Sequence, residues 1–201
     1  MRKKLTGLAV ATTLALTLVA CGSNDAKDNG TQTPVATEAP ATEAPAAEAP
    51  AADVNFEEIT KKLAETFGDD FVASNPLDAA TIEALLGVKA DWYEDAYAAN
   101  SMIGTHKDIV AMIKAKPENV EDVKAALEAY KQAQIDDVMQ YPMNAIKVQA
   151  TRVETYGNYV VLCLVGFVPM EVEETGDDSK ILEAFQEENQ KAIDVIESYL
   201  K

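Results

Sequence analysis

Apolar positions recur at helical spacing in four stretches of the chain and alternate in four others, and the order of these stretches predicts the fold. Phe56, Ile59, Leu63 and Phe67 return every three or four residues, and Gly68 stands where a helix would stop. A second, short helix is expected from an Asp78 cap through Ile82, Leu85 and Leu86 to Gly87, after the break at Asn75-Pro76. Residues Trp92 to Ile103 alternate loosely, and Ile109, Ala111, Ile113 and Ala115 alternate more clearly with Val110, Met112, Lys114 and Lys116. These two runs predict a hairpin turning at Gly104-Thr105-His106-Lys107.

Pro117 closes that hairpin, and Asn119 with Asp122 opens a long amphipathic helix whose stripe is Val120, Val123, Leu127 and Tyr130, extended by Ile135 and Val138 and ended by Tyr141-Pro142. Ile146 to Tyr156 and Tyr159 to Val168 then read as strands joined by Gly157-Asn158, a dipeptide that tolerates the positive φ values of tight hairpins. The second of these runs is apolar on both parities, which places it centrally in the sheet, covered on both faces. An acidic segment, Glu171 to Asp178, leads to a last helix over 179–200, buried through Leu182, Phe185, Ala192, Ile196 and Tyr199. The expected architecture is therefore α+β, a mainly antiparallel four-stranded sheet packed by helices in the order ααββαββα.

The pattern changes sharply before residue 53. Arg2, Lys3 and Lys4 precede an apolar run, Leu5–Ala20, that is too short and too interrupted to remain as a membrane span. It ends in Leu18-Val19-Ala20-Cys21 and turns at once to Gly22-Ser23-Asn24-Asp25. These four residues resemble the bacterial lipobox. The resemblance implies a diacylglycerol on the Cys21 thiol, cleavage of the Ala20–Cys21 bond, and a mature chain that begins at Cys21. Two acyl chains hold a protein on a bilayer where one holds it only marginally, since each buried methylene contributes about 0.8 kcal/mol. The alternative is an ordinary secretory signal with an incidental cysteine at the cleavage site.

Residues 21–52 form an alanine-rich stretch with a pentad repeat that puts proline at 40, 45 and 50 between evenly spaced glutamates. Each proline fixes φ and removes a backbone donor, so neither helix nor sheet propagates and a disordered tether is expected. At about 3.1 Å per residue its reach is roughly 100 Å at most. The sequence thus divides into a lipoprotein signal over 1–20, a tether over 21–52 and a single α+β domain over 53–201.

A family resemblance emerges from the middle of the domain. The strand Ile109 to Lys116 with its Lys-Ala-Lys exit, the helix Val120 to Leu127 and the hairpin Gly157-Asn158-Tyr159-Val160-Val161-Leu162 resemble, in this order, the domain-of-unknown-function family 4358. That family is found in lipoproteins of low-GC Gram-positive bacteria, and the similarity covers roughly Leu85 to Phe167. It implies a membrane-anchored, extracytoplasmic protein and brings no catalytic residues with it. The sequence departs from the family at Pro117-Glu118-Asn119, where a glycine-containing turn is more usual.

Charge removes whole classes of function. Without Arg2, Lys3 and Lys4 the 17 basic residues fall to 14 against 34 acidic, a formal charge of −20 with His106 neutral. Such a field repels polyanions, so no nucleic-acid partner is expected. With Cys21 acylated, Cys163 has no partner for a disulfide, and its place within Tyr159 to Val165 predicts a small core side chain. Glu171, Glu173, Glu174, Asp177 and Asp178 crowd around Gly176, yet their spacing is not that of an EF-hand loop, and a solvated acidic turn is the simpler reading. Zinc would need more His or Cys ligands than His106 and Cys163 supply.

Catalytic motifs are equally sparse. No Gly-x-Ser-x-Gly elbow and no glycine-rich phosphate loop occur, and His106, the only imidazole, falls in a predicted surface turn. A pair of carboxylates meeting in space carries no signature in sequence. Trp92, Tyr93 and Tyr97 would form either a stacking rim for a partner or part of the core. No catalytic, metal or cofactor residue is assigned and no cofactor is expected; Cys21 is the one site residue. The function expected is a non-catalytic binding module, lipid-anchored at the extracytoplasmic face of the cell membrane, that engages an envelope protein, glycan or solute. The alternatives are a carboxylate-based envelope hydrolase and a solute-capture lipoprotein.

Overall fold

The computed structural model describes residues 54–201; the signal, the tether and Cys21 lie outside the described residues. Helix α1 (Phe56–Phe67) starts under Asn55, whose side chain accepts from the backbone N–H groups of Glu57 and Glu58. A two-residue edge strand, β1 (Asn75–Pro76), precedes α2 (Ala79–Leu86), which Asp78 caps and Gly87 ends in the left-handed conformation. The hairpin β2 (Tyr93–Asn100) and β3 (Ile109–Ala115) leads to α3 (Val120–Asp136) and α4 (Pro142–Lys147). The second hairpin, β4 (Arg152–Tyr156) and β5 (Tyr159–Leu164), leads to α5 (Met170–Glu173) and α6 (Asp178–Leu200).

The sheet order is β1-β2-β3-β5-β4 and every pairing is antiparallel. Strand β5 lies between β3 and β4 and is buried along its whole length, as its unbroken apolar run requires. Side-chain alternation sorts the core into two layers. Val110, Met112, Val161 and Cys163 face α1 and α6, against Ile59, Leu63, Ile193 and Ile196. Ile109, Ala111, Ile113, Val160, Leu162 and Leu164 face α2 and α3, against Ile82, Leu86, Val123 and Leu127. Burying each such Val, Leu or Ile contributes about 1.5–3 kcal/mol before the entropy of ordering it is counted. Among the described residues, no helix is long and apolar enough to cross a membrane.

Several expectations need correction. The sheet has five strands and not four, because Asn75-Pro76 pairs with Asn100 and Ala99; a proline is tolerated there since β1 is an edge. The long helix ends at Asp136, and Val138 lies beyond it, 90% exposed. Pro142 does not close an element but opens α4 at its first position, where a missing N–H costs nothing. Residues 146–150, read as strand, complete α4 and a single 3-10 turn, Val148–Ala150. The acidic segment contains α5 and the Asp177 cap of α6, and α6 buries Ile181, Phe185, Asn189, Ala192, Ile193, Ile196 and Leu200 while Tyr199 is exposed. The observed order with these additions is αβαββααββαα.

Candidate functional site

At the end of the sheet where β5 finishes, the described residues enclose a cavity of about 400 Å3, mostly apolar in its lining. Four segments build it. The β2–β3 loop contributes Thr105, His106 and Asp108; α4 and the residue before it contribute Tyr141, Met143, Asn144 and Lys147; the chain after β5 contributes Phe167 and Glu173, with Phe185 from α6. The volume lies within the range of small-ligand sites.

A buried ion pair forms part of the wall. Lys147 is the last residue of α4, and Asp108 directly precedes β3; they are 5% and 1% exposed. Lys147 Nζ donates to Asp108 Oδ2 at 2.7 Å and to the Gly166 carbonyl at 2.8 Å. Its remaining sides meet aromatic faces, 5.0 Å from the Phe167 centroid and 5.5 Å from that of Phe185. Burial pushes the Asp108 carboxyl above its ordinary pKa and the Lys147 ammonium below its own, and the attraction between the two opposes both shifts. Asp108 Oδ1 has no hydrogen-bond partner. An orphan oxygen on a buried carboxylate is costly; Gln140 Oε1 and Tyr159 Oη are the other buried side-chain atoms without a partner among the described residues.

Backbone geometry holds this pair in place. Gly166 has φ 90°, and a Cβ there would lie 2.7 Å from Glu188 Cβ, so the carbonyl that Lys147 binds is presented by a position only glycine fits. Just before it, the side chain of Asn189 accepts from Val165 N at 3.1 Å and donates to Phe185 O at 2.8 Å, carrying on the bonding of β5 where the strand stops. The loops are tied as well: Asn144 Nδ2 donates to Thr105 O at 2.8 Å, and Lys107 Nζ donates to Gln134 Oε1 at 3.3 Å and lies 3.7 Å from Asp137.

Each lining segment also carries large apolar side chains that face water. Met102 and Ile103 are exposed on the β2–β3 loop, Val138 and Met139 on the loop before α4, and Met170 at the start of α5; Val138 and Met139 are each 90% exposed.

The residues singled out in the sequence fall elsewhere or take other roles. His106 is not a plain surface residue: its side chain is only 26% exposed, its Nδ1 lies 4.0 Å from Asp108 Oδ2, and its ring is 5.2 Å from that of Phe167. No hydroxyl or thiol is hydrogen-bonded to it among the described residues. Cys163 is fully buried, and burial pushes its thiol up to about 12, which keeps it protonated. The aromatic trio does not form one rim: Trp92 and Tyr93 pack on the α2–α3 side of the sheet and Tyr97 on the α1–α6 side. No group of three or more His, Cys, Asp or Glu side chains able to hold a metal ion occurs among the described residues. A second, more open and more polar cavity of about 420 Å3 contains Arg152, which bonds its neighbours Glu154 and Gln190.

Asp108, Lys147 and Asn144 were missed because hydrophobic patterning does not register buried polar residues. One signal was present. Asn144, Lys147 and Val148 are spaced as neighbours on one helical face directly after a proline, which a helix reading of 142–148 would have brought together.

These observations define an α+β domain with an antiparallel sheet between two helical layers and a ligand-sized cavity at one end of the sheet. Residues 68–165 match the model of a family described as Domain of unknown function (DUF4358), which supports the resemblance seen in the sequence. The matched stretch contains His106, Asp108 and Lys147 and stops short of Phe167, Glu173 and Phe185. No curated protein and no solved structure gives a significant match.

Proposed function

We propose that the protein is a lipid-anchored binding module of the cell envelope, held at the extracytoplasmic face through Cys21 and capturing a small ligand in the cavity between the β2–β3 loop, α4 and Phe167. The cavity carries the binding half of this reading: about 400 Å3 of mostly apolar space lined by Met143, Phe167 and Phe185 beside the buried Asp108–Lys147 pair. The anchoring half rests on the basic start, the short apolar run and the Leu-Val-Ala-Cys sequence at 18–21.

One experiment addresses both halves. The full-length protein is extracted from envelopes of the cells that make it and weighed intact, first under native and then under denaturing conditions. The expected denatured mass is that of a chain beginning at Cys21 and carrying diacylglycerol. The expected native mass contains an additional small molecule, lost on denaturation and missing from a folded Met143→Trp variant, whose indole fills the cavity. A free Cys21 thiol, or cleavage elsewhere, overturns the anchoring. A native adduct retained equally by Met143→Trp, or no adduct at all, overturns the cavity as the site.

A further inference from the structure

The two edges of the sheet are finished differently. At one, β1 is two residues long and contains Pro76, which has no N–H to offer a further strand. At the other, β4 runs over Arg152–Tyr156 with no proline and no break in its register against β5. The tight turn fixes which of its backbone groups face outward. Tyr156 pairs with Tyr159 across Gly157-Asn158, so Tyr156, Glu154 and Arg152 turn their N–H and C=O groups to β5, while Val153 and Thr155 turn theirs away. The bond from Ala115 N to Asn158 O agrees with that parity, since it puts Asn158, and with it Val160 and Leu162, toward β3. Among the described residues, nothing bonds the outward groups of Val153 and Thr155. An open strand edge is a template for another strand.

The side chains on this edge say which strand. Arg152 and Glu154 lie on one face of β4, with side chains 36% and 32% exposed. The guanidinium donates to Glu154 Oε1 from Nε at 3.0 Å and from Nη2 at 2.5 Å, and to Gln190 Oε1 from Nη1 at 2.7 Å, which leaves two of its five N–H groups unused. Glu154 Oε2 accepts from nothing among the described residues. We infer that the β4 edge pairs with the β4 edge of a second copy of this chain, antiparallel about a two-fold axis through Val153. Under a two-fold, each contact is made twice with the roles exchanged. Arg152 then stands opposite the partner's Glu154 and Glu154 opposite the partner's Arg152, in the non-hydrogen-bonded pairs where side chains come closest. The unused guanidinium N–H groups of each copy face the open Oε2 of the other. Val153 exchanges both backbone bonds with the partner's Val153, and Thr155 N donates to the carbonyl of the partner's Thr151. An axis at Glu154 sets two carboxylates against each other, and an axis at Thr155 sets Glu154 against Tyr156, so the charges choose one register. The chain's net charge of −17 opposes association, but between exposed groups that repulsion is screened beyond about 8 Å at physiological ionic strength.

The test is sedimentation equilibrium on the full chain carrying Cys21→Ala, which no acyl group can aggregate. Its mass is expected to pass from one chain to two between micromolar and millimolar concentration, as suits a small interface. Hydrogen exchange at the Val153 amide is expected to slow over the same range. Arg152→Glu and Glu154→Arg, each checked for folding by circular dichroism, put like charges at both contacts and are expected to weaken self-association about tenfold. Mixed in equal amounts, the two variants again oppose unlike charges and are expected to form a heterodimer as tightly as the parent forms its own. Neither a folding defect nor association through the apolar residues 5–20 would produce that rescue.

A chain that stays single at millimolar concentration overturns the pairing. So does a dimer that both variants form as well as the parent, or one in which the Val153 amide exchanges as fast as in the single chain, since either puts the contact on another surface. Mixed variants that associate no better than each alone remove the register and the proposal with it. If one variant does not fold, the Val153 amide of the parent decides. An extended peptide of another protein that protects Val153 in a chain remaining single assigns the edge to a different partner and overturns the second copy.

Discussion

The two ends of strand β5 are built on opposite principles. At its start, the Gly157-Asn158 turn closes on itself: Ala115 N donates to Asn158 O, Asn158 returns a bond to Ala115 O, and Lys116 N and Nζ bond the carbonyls of Trp92 and Asp91. Backbone meets backbone and neighbouring side chains, while Tyr159, the first residue of the strand, keeps a buried hydroxyl without a partner. At its finish, the strand's bonding is taken over by the side chain of Asn189, then by a lysine from another helix, and one carboxylate oxygen is left open. The strand is tied within its own sheet at one end and to side chains of α4 and α6 at the other. Buried polar groups of this kind are where sequence rules are broken in favour of function.

The contrast is tested most severely at Lys147. Lys147→Met removes one partner of a buried pair and is expected to cost about 3–5 kcal/mol in a chemical denaturation experiment. Asp108→Leu with Lys147→Met is expected to recover most of that loss, because no charge is then left stranded. A pH series sharpens the point. The Asp108 carboxyl already sits above its ordinary value through burial, and without Lys147 nothing opposes that shift. In Lys147→Met the folded state therefore holds a proton that the unfolded chain has released. Its stability is expected to be greatest in acid and to fall as pH rises through the folded-state pKa of Asp108, a slope the double variant lacks. A Lys147→Met loss under 1 kcal/mol would remove the pair from the account of this end.

Next in size is Asn189→Ala, which leaves the Val165 backbone N–H buried without its acceptor; the expected loss is about 1–3 kcal/mol by thermal or denaturant unfolding. At the opposite end, Gly157→Ala places a Cβ at φ 59° and is expected to cost about 1–2 kcal/mol while leaving the small-molecule adduct of the native mass unchanged. A change in ligand affinity from Gly157→Ala would show that the two ends are not independent. The smallest stability effect belongs to Met139→Ser, an exposed position where folding is expected to change by no more than about 0.5 kcal/mol.

Legibility in the sequence followed the same division. The start of the strand was readable: Gly157-Asn158 named its turn, and the double-parity apolar run of 159–168 named a strand covered on both faces, although β5 stops at Leu164, before the positive-φ Gly166. The caps Asp78 and Gly87 and the spacing Phe56, Ile59, Leu63 were readable for the same reason, since each is a local rule written in local residues. The open end was not. Asp108, Lys147 and Gly166 are 39 and 19 positions apart along the chain, and their partnership depends on burial that no periodicity of apolar residues announces. Residues 146–150 were misread because Ile146, Val148 and Ala150 alternate as a strand would, while the residue that settles the matter, Lys147, is a cation facing inward. Likewise α6 was placed one position off at Tyr199, where Ile193 and Asn189 fix the true inward face.

The layer on one side of the sheet is made from the beginning and the end of the domain, since Ile59 and Leu63 of α1 lie with Ile193, Ile196 and Leu200 of α6 over Val110, Met112, Val161 and Cys163. A polypeptide emerging from a ribosome or threading a pore N-terminus first cannot close that layer until its last two dozen residues have arrived. The layer over the other face, built from residues between Ile82 and Leu164, carries no such condition, so the two faces of one sheet differ in how early a growing chain can cover them.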